Sequence, residues 1–197
     1  MLVLGSASPR RAALLREIGM PFTVCASDVP ETPLPGEAPA AFARRAALDK
    51  GDAVARLCPG AWVLAADTVV AIDDQILGKP CDDADARRML RLLANRRHDV
   101  LTGVALFAPD GVCADALVVR TAVTFRAVSD GEIAAYVASG EPADKAGAYA
   151  IQGGAAGFVR AVDGSYSNVV GLPVDEVRAL LTRHRVPGGD AAATGEA

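Results

Sequence analysis

Apolar positions along this chain follow two periods. Leu2, Val3 and Leu4 make a short continuous run, which predicts the end of a buried strand. Leu14, Leu15 and Ile18 then recur at helical spacing, with Ser8 as a cap, Pro9 at the first helical position and Gly19 as a stop. Phe22 and Val24 suggest a second short strand, ending at Ser27–Glu31, and three prolines and a glycine make Thr32–Pro39 a loop. Residues from about Ala40 to Leu57 read as a helix with Phe42, Ala46, Val54 and Leu57 facing the core, broken by Pro59-Gly60. Trp62–Ile72 is the most apolar stretch and β-branched at its end; it predicts a central strand interrupted by Asp67-Thr68. Gln75–Pro80 reads as a turn leaving that strand, and Asp83 opens an amphipathic helix with Ala86, Met89, Leu90 and Leu93 on one face.

His98–Phe107 and Val112–Phe125 read as strands joined at Pro109-Asp110-Gly111. Ser129-Asp130-Gly131-Glu132 is a capping box for a helix carrying Ile133 and Val137 and ending near Gly140. Glycine and alanine crowd Asp144–Gly157, which implies close backbone approach or a mobile loop. A strand at Phe158–Val162 and a helix from Pro173 to about Arg183 follow. Helices alternating with strands, plus one antiparallel hairpin, predict a mixed α/β fold. It reads as a single domain over residues 1–184 with a lobe boundary near 128, then a disordered tail at 185–197 whose residues are small and polar.

Composition narrows the classes. The chain of 197 residues is 51% hydrophobic, largely through alanine, and no apolar run approaches the roughly 20 residues of a membrane span. The N-terminus carries no basic segment ahead of an apolar one, so a cytoplasmic protein without a signal peptide is expected. A net charge of −4 without a basic block argues against nucleic acid as a partner. Cys25, Cys58, Cys81 and Cys113 are far apart, and with only His98 and His184 beside them a zinc site is not expected; buried free thiols are.

Against this acidic background the local cations matter. Gly5–Arg11 joins a strand to a helix start, where exposed N–H groups and the guanidiniums of Arg10 and Arg11 favour an anion, most simply phosphate; an ordinary cap with solvated arginines is the bland alternative. Asp67 lies within an apolar strand, where an ionised carboxylate is costly unless a metal, cation or substrate compensates it. It reads as a metal ligand, a general base, or a carboxylate satisfied by an arginine. Lys79 sits in a tight Gly-Lys-Pro turn just past this strand, whereas Lys50 and Glu31 alone would read as solvated. Gln152 carries an amide suited to a base edge. His98, isolated in sequence, reads as structural.

Taken together, Ser6–Arg11, Glu31, Lys50, Ala66-Asp67-Thr68, Gly78-Lys79-Pro80, His98–Gly103 and the run from Gly164-Ser165-Tyr166 to Gly171-Leu172-Pro173 resemble the Maf family of nucleoside triphosphate pyrophosphatases. The resemblance runs to about Leu181 and implies an elongated twisted sheet with flanking helices and a cleft between two lobes, as in Maf and ITPase proteins. It implies hydrolysis of a nucleoside triphosphate to monophosphate and pyrophosphate with a divalent metal, Mg²⁺ or Mn²⁺. On these positions Asp67 would be the proton acceptor, and Arg10, Thr68 and Gln152 would set substrate preference. Ser6, Ser8, Arg11, Lys50 and Lys79 would bind phosphate, and Glu31 with Asp67 would hold the metal. Asp144–Gly153 looks like the branch acting on dTTP and UTP rather than on 7-methyl-GTP. Preference for CTP or 7-methyl-GTP stays open, as does a nucleotide-sensing role or restraint of cell division without catalysis. A homodimer is also implied. The physics agrees: a triphosphate carries about four negative charges, and Arg10, Arg11, Lys50, Lys79 and a metal have the sign and number to offset them.

Overall fold

The computed structural model describes residues 1–188. In chain order its elements are β1 (Leu2–Leu4), α1 (Pro9–Glu17), β2 (Phe22–Val24), α2 (Pro39–Leu57), β3 (Trp62–Ile72), β4 (Gln75–Leu77), α3 (Asp83–Leu93), β5 (Arg97–Phe107), β6 (Cys113–Phe125), α4 (Asp130–Ala138), β7 (Val159–Asp163), α5 (Tyr166–Val170) and α6 (Val174–Arg183). Short 3₁₀ turns fill the segment between α4 and β7. No helix among the described residues is long and apolar enough to cross a membrane.

All seven strands form one mixed sheet, ordered β2-β1-β3-β5-β6-β7 with β4 also against β3. β1 runs parallel to β2 and β3, while in the series β3, β5, β6, β7 each strand is antiparallel to the next. The period-two alternation of β3 assigns its faces. Val63, Val69 and Ala71 pack towards α2, with Ala46, Ala47 and Val54. Leu64, Ala66, Val70 and Ile72 belong to the larger core on the other face, with Leu14, Leu15, Leu90 and Leu180 from the helices there. Asp67 therefore shares the face of α2, and Thr68 the face of α1.

One edge of β3 is not fully paired. β5 runs along one side from Val63 to Ala71. On the other side β1 pairs only with Trp62–Leu64, and β4 only with Val70–Ile72. The intervening edge, residues 65–69, has no strand partner among the described residues. A cleft opens there, and side chains from both faces of the sheet reach it.

α2 lies close on the sheet because of Gly103, which pairs with Asp67 across β3 and β5. A Cβ at this position would overlap the Ala43 carbonyl of α2. Gly103→Ala must lift the helix, and is expected to lower stability by about 1–3 kcal/mol, as overpacked cores do. Urea denaturation reads that loss. Loss of the activity proposed below should accompany it, because Lys50 sits on the same helix.

Several expectations need correction. β3 is continuous through Asp67-Thr68, because its ladder with β5 carries on unbroken at Asp67↔Gly103 and Thr68↔Thr102. Gln75–Leu77 is not a turn but the returning strand of a hairpin, and the turn is Asp73-Asp74, both at positive φ. Leu57 is exposed at the last turn of α2, beyond the reach of the sheet. None of the four free cysteines is buried: Cys25 and Cys58 are half-buried, Cys81 and Cys113 exposed. Of the two expectations for the Gly/Ala-rich segment, close backbone approach is the one met at Gly147, which lies at positive φ directly over Val70. Past α6, Val186 is buried and its N–H bonds the Leu181 carbonyl. The rest of the expected tail, 189–197, lies outside the described residues.

Candidate active site

The cleft beside the unpaired edge of β3 has a volume of about 670 Å³. All ten residues singled out from the sequence line it: Ser6, Ser8, Arg10, Arg11, Glu31, Lys50, Asp67, Thr68, Lys79 and Gln152. Its entrance on one side is the start of α1. The Ser8 side chain caps that helix by accepting the Arg11 N–H at 3.4 Å, and Pro9 has no N–H, which leaves the Arg10 N–H as the uncommitted donor of the first turn.

At the closed end, the Lys50 ammonium lies 2.5 Å from Asp67 Oδ1 and 2.6 Å from Glu31 Oε1. Lys79 Nζ is 3.5 Å from Glu31 Oε2. The side chains of Lys50 and Asp67 are 9% and 7% exposed, against 39% for Glu31 and 58% for Lys79, so the cluster runs from the interior towards solvent. Burial pushes the Glu31 carboxyl up, but its contacts with Lys50 and Lys79 outweigh this and hold it below the ordinary glutamate value. An amide or apolar group at Asp67 would strand no charge, since Lys50 keeps Glu31. The carboxylate at the strand edge is thus not needed merely to satisfy the lysine.

Arg11 is arranged differently. Its Nε donates to the Gly171 carbonyl at 2.8 Å, one terminal nitrogen to Ser6 Oγ at 3.0 Å, and the other to Thr68 Oγ1 at 3.0 Å. Three of its five N–H donors are spent tying β1's loop, β3 and the end of α5 together, which leaves two for a ligand. Burial lowers its pKa, against the raising influence of Asp67 and Glu31. Thr68 Oγ1 also meets Thr102 Oγ1 at 2.9 Å, so its orientation is fixed between Arg11 and Thr102.

The opposite wall comes from the segment between α4 and β7. Gln152 is exposed there, and Asp144 and Lys145, bonded to one another, also line the cleft. The Lys145 contact, with a contribution from Arg10 across the cleft, holds the Asp144 carboxyl below its ordinary value. Lys145 and Gly171, which fall within the family-like stretches, had no site role assigned from the sequence, and the polar groups behind Gln152 went unread. An acid-base pair inside a Gly/Ala-rich loop was the one signal available for Lys145. His98, read as structural, is buried and does not line the cleft; its Nε2 lies 2.9 Å from Oη of Tyr149, which does.

Among the described residues no three His, Cys, Asp or Glu side chains cluster as a ready ligand set. The donors that do converge are the carboxylates of Glu31 and Asp67, both reaching one ammonium. Two hard oxygen donors with no thiolate or imidazole fit a Mg²⁺-type ion that completes its shell with phosphate and water.

Fold and site together define a mixed α/β protein with cationic groups and a helix start gathered over a carboxylate pair in one cleft. The Maf-like protein family model matches residues 1–184, and the chain belongs to this family. A relative named dTTP/UTP pyrophosphatase from Geobacter sulfurreducens is 56% identical over 184 residues, covering 92% of this chain and 95% of that one. One of the same name from Myxococcus xanthus is 56% identical over 187 residues, covering 95% and 94%. Among solved structures, the Ham1 protein of Staphylococcus aureus aligns over 66% of this chain and 72% of that chain, with 19% identity and a TM-score of 0.45.

Proposed function

We propose that this protein hydrolyses nucleoside triphosphates, dTTP and UTP foremost, to the monophosphate and pyrophosphate. The observation that carries the reading is the Glu31–Lys50–Asp67 cluster at the closed end of a cleft lined by cations. The relatives at 56% identity, named dTTP/UTP pyrophosphatase, support the reaction and the pyrimidine preference.

In this mechanism the triphosphate lies between the start of α1 and Lys79. The Ser6 and Ser8 hydroxyls and the Arg10 N–H at the helix start donate to phosphate oxygens, with the two uncommitted N–H groups of Arg11 beside them. Lys50 has three N–H donors and uses two on carboxylates, leaving one for phosphate. Asp67 takes a proton from the water whose oxygen forms a bond to the α-phosphorus. The bond to the oxygen bridging the α- and β-phosphorus breaks, and Lys79 offsets the charge on the departing pyrophosphate. Glu31 and Asp67 would hold a divalent cation, which when bound neutralises phosphate charge and raises the electrophilicity of phosphorus. Arg10, Thr68 and Gln152 face the nucleoside, and the Gln152 amide offers a donor and an acceptor to a pyrimidine edge.

Pyrophosphate release should be measured with dTTP, UTP, CTP and 7-methyl-GTP, with Mg²⁺ or Mn²⁺ and with chelator. The expected result is monophosphate and pyrophosphate from dTTP and UTP, abolished by chelation and restored by added metal. Preference for 7-methyl-GTP would keep the chemistry and overturn the assignment of Gln152. Tight nucleotide binding with no turnover of any substrate would instead make the protein a nucleotide sensor.

A further inference from the structure

Gln152 is exposed at the cleft and makes no side-chain hydrogen bond within the described residues. A free amide can discriminate between bases only if the backbone carrying it is held still. That backbone, Ala150–Gly154, belongs to a run of turns rather than to a sheet or long helix, and its anchors come from elsewhere.

Two side chains supply them. Tyr136, on the last turns of α4, is buried and packs edge-on to Phe158. Its hydroxyl accepts the Ala150 N–H at 3.1 Å and donates to Glu141 Oε1 at 3.1 Å. The Glu141 carboxylate also accepts the Gly154 N–H, at 3.2 Å to Oε1 and 3.0 Å to Oε2. The brace therefore grips the chain two residues before Gln152 and two residues after it. A Cβ on Gly153 would overlap Glu141 Oε1, so the loop is pressed against the carboxylate. Glu141 is itself fixed by its own backbone: its N–H bonds Ser139 Oγ at 3.3 Å and its carbonyl accepts Lys145 Nζ at 3.3 Å. Burial pushes the Tyr136 phenol well above its ordinary value, so the hydroxyl keeps the proton it donates to Glu141.

We propose that Tyr136 and Glu141 are positioning residues for Gln152 and thereby determine base discrimination. This rests on the reading of Gln152 as the group that meets the base. Neither residue is among those lining the cleft, so their influence passes through the backbone of Ala150 and Gly154.

The test compares kcat and KM for dTTP and dCTP in the wild type and in Glu141→Ala, Glu141→Gln, Tyr136→Phe and Gln152→Ala, with thermal melts of each. In Glu141→Ala the ratio of kcat/KM for dTTP over dCTP is expected to fall about tenfold or more, since a small misplacement of a positioning group is that costly. The loss should fall on KM for dTTP rather than on kcat. Glu141→Gln keeps a carbonyl oxygen able to accept the Gly154 N–H and should recover most of the ratio. If Glu141→Ala fails to fold, Tyr136→Phe carries the test, because it removes only the hydroxyl linking Ala150 to Glu141. A ratio that collapses in Gln152→Ala but stays intact in the brace variants overturns this inference and leaves the proposed function standing. A ratio unmoved even in Gln152→Ala overturns both the inference and the base-reading role. Parallel losses for both substrates that track the melting temperature would reduce the brace to scaffolding, which also overturns it.

Discussion

Replacing Asp67 by Asn is expected to cut dTTP turnover by about 10²- to 10⁴-fold, the usual contribution of a positioned general base, while leaving nucleotide binding measurable. The substitution preserves shape and removes the site's capacity to take a proton. Its carbonyl oxygen can still accept from Lys50, and Lys50 retains Glu31 at 2.6 Å, so no buried charge is stranded. Stability should therefore fall by only about 1 kcal/mol, the scale of one hydrogen bond. Single-turnover pyrophosphate release, urea denaturation and titration with a non-hydrolysable triphosphate separate the three quantities. Turnover within a few-fold of wild type would remove Asp67 from proton transfer. A variant that loses binding together with turnover would make Asp67 chiefly a holder of the metal and its triphosphate.

The same strand shows how far local pattern carries and where it stops. Helices announced themselves by periodicity and, for two of them, by caps: Ser8 and Ser129 each accept an N–H of the first turn that follows, as Asp82 also does ahead of α3, where periodicity alone was the signal. α5, five residues long, has too little sequence for a period and went unread. In β3 the pattern misled. Two polar residues in an apolar run look like a break, yet the ladder with β5 supports the backbone while the unpaired opposite edge lets Asp67 and Thr68 reach the cleft from opposite faces. That depends on β1 being only three residues long where β3 has eleven, a comparison visible only once the pairing is known.

Site residues were legible as types and as a family pattern, and the structure brings all ten to one cavity. Their mutual arrangement was not legible. Arg11 reads as a free phosphate ligand beside a helix start, but its Nε is committed to a carbonyl 160 residues away in sequence. Glu141 carried no signal, because its carboxylate meets the backbone N–H of Gly154 and a tyrosine hydroxyl, which no side-chain spacing encodes. Long-range backbone contacts of this kind decide which charged groups remain available to substrate.

His98 leads to the second large effect, on acid stability. Burial pushes its pKa down to about 4 from an ordinary 6.5, against the opposing influence of Asp99 beside it. The unfolded chain binds a proton at this residue as pH drops through 6.5, whereas the folded protein resists until about pH 4. Stability is therefore complete above 6.5 and falls steadily as pH declines towards 4, by a total on the order of 3 kcal/mol. The depressed carboxyls, Glu31 among them, lose their contribution only below the ordinary glutamate value of 4.5, so the upper part of this window isolates the histidine. Urea unfolding of wild type and His98→Phe across that range is the measurement. The variant leaves Tyr149 Oη without its partner at 2.9 Å, which costs about 1–3 kcal/mol at every pH. That offset is constant, so the slope alone reports the histidine: steep in the wild type, nearly flat in His98→Phe. Equal slopes in the two proteins would mean that His98 takes up its proton as readily folded as unfolded, and that the acid sensitivity of the fold lies with other groups.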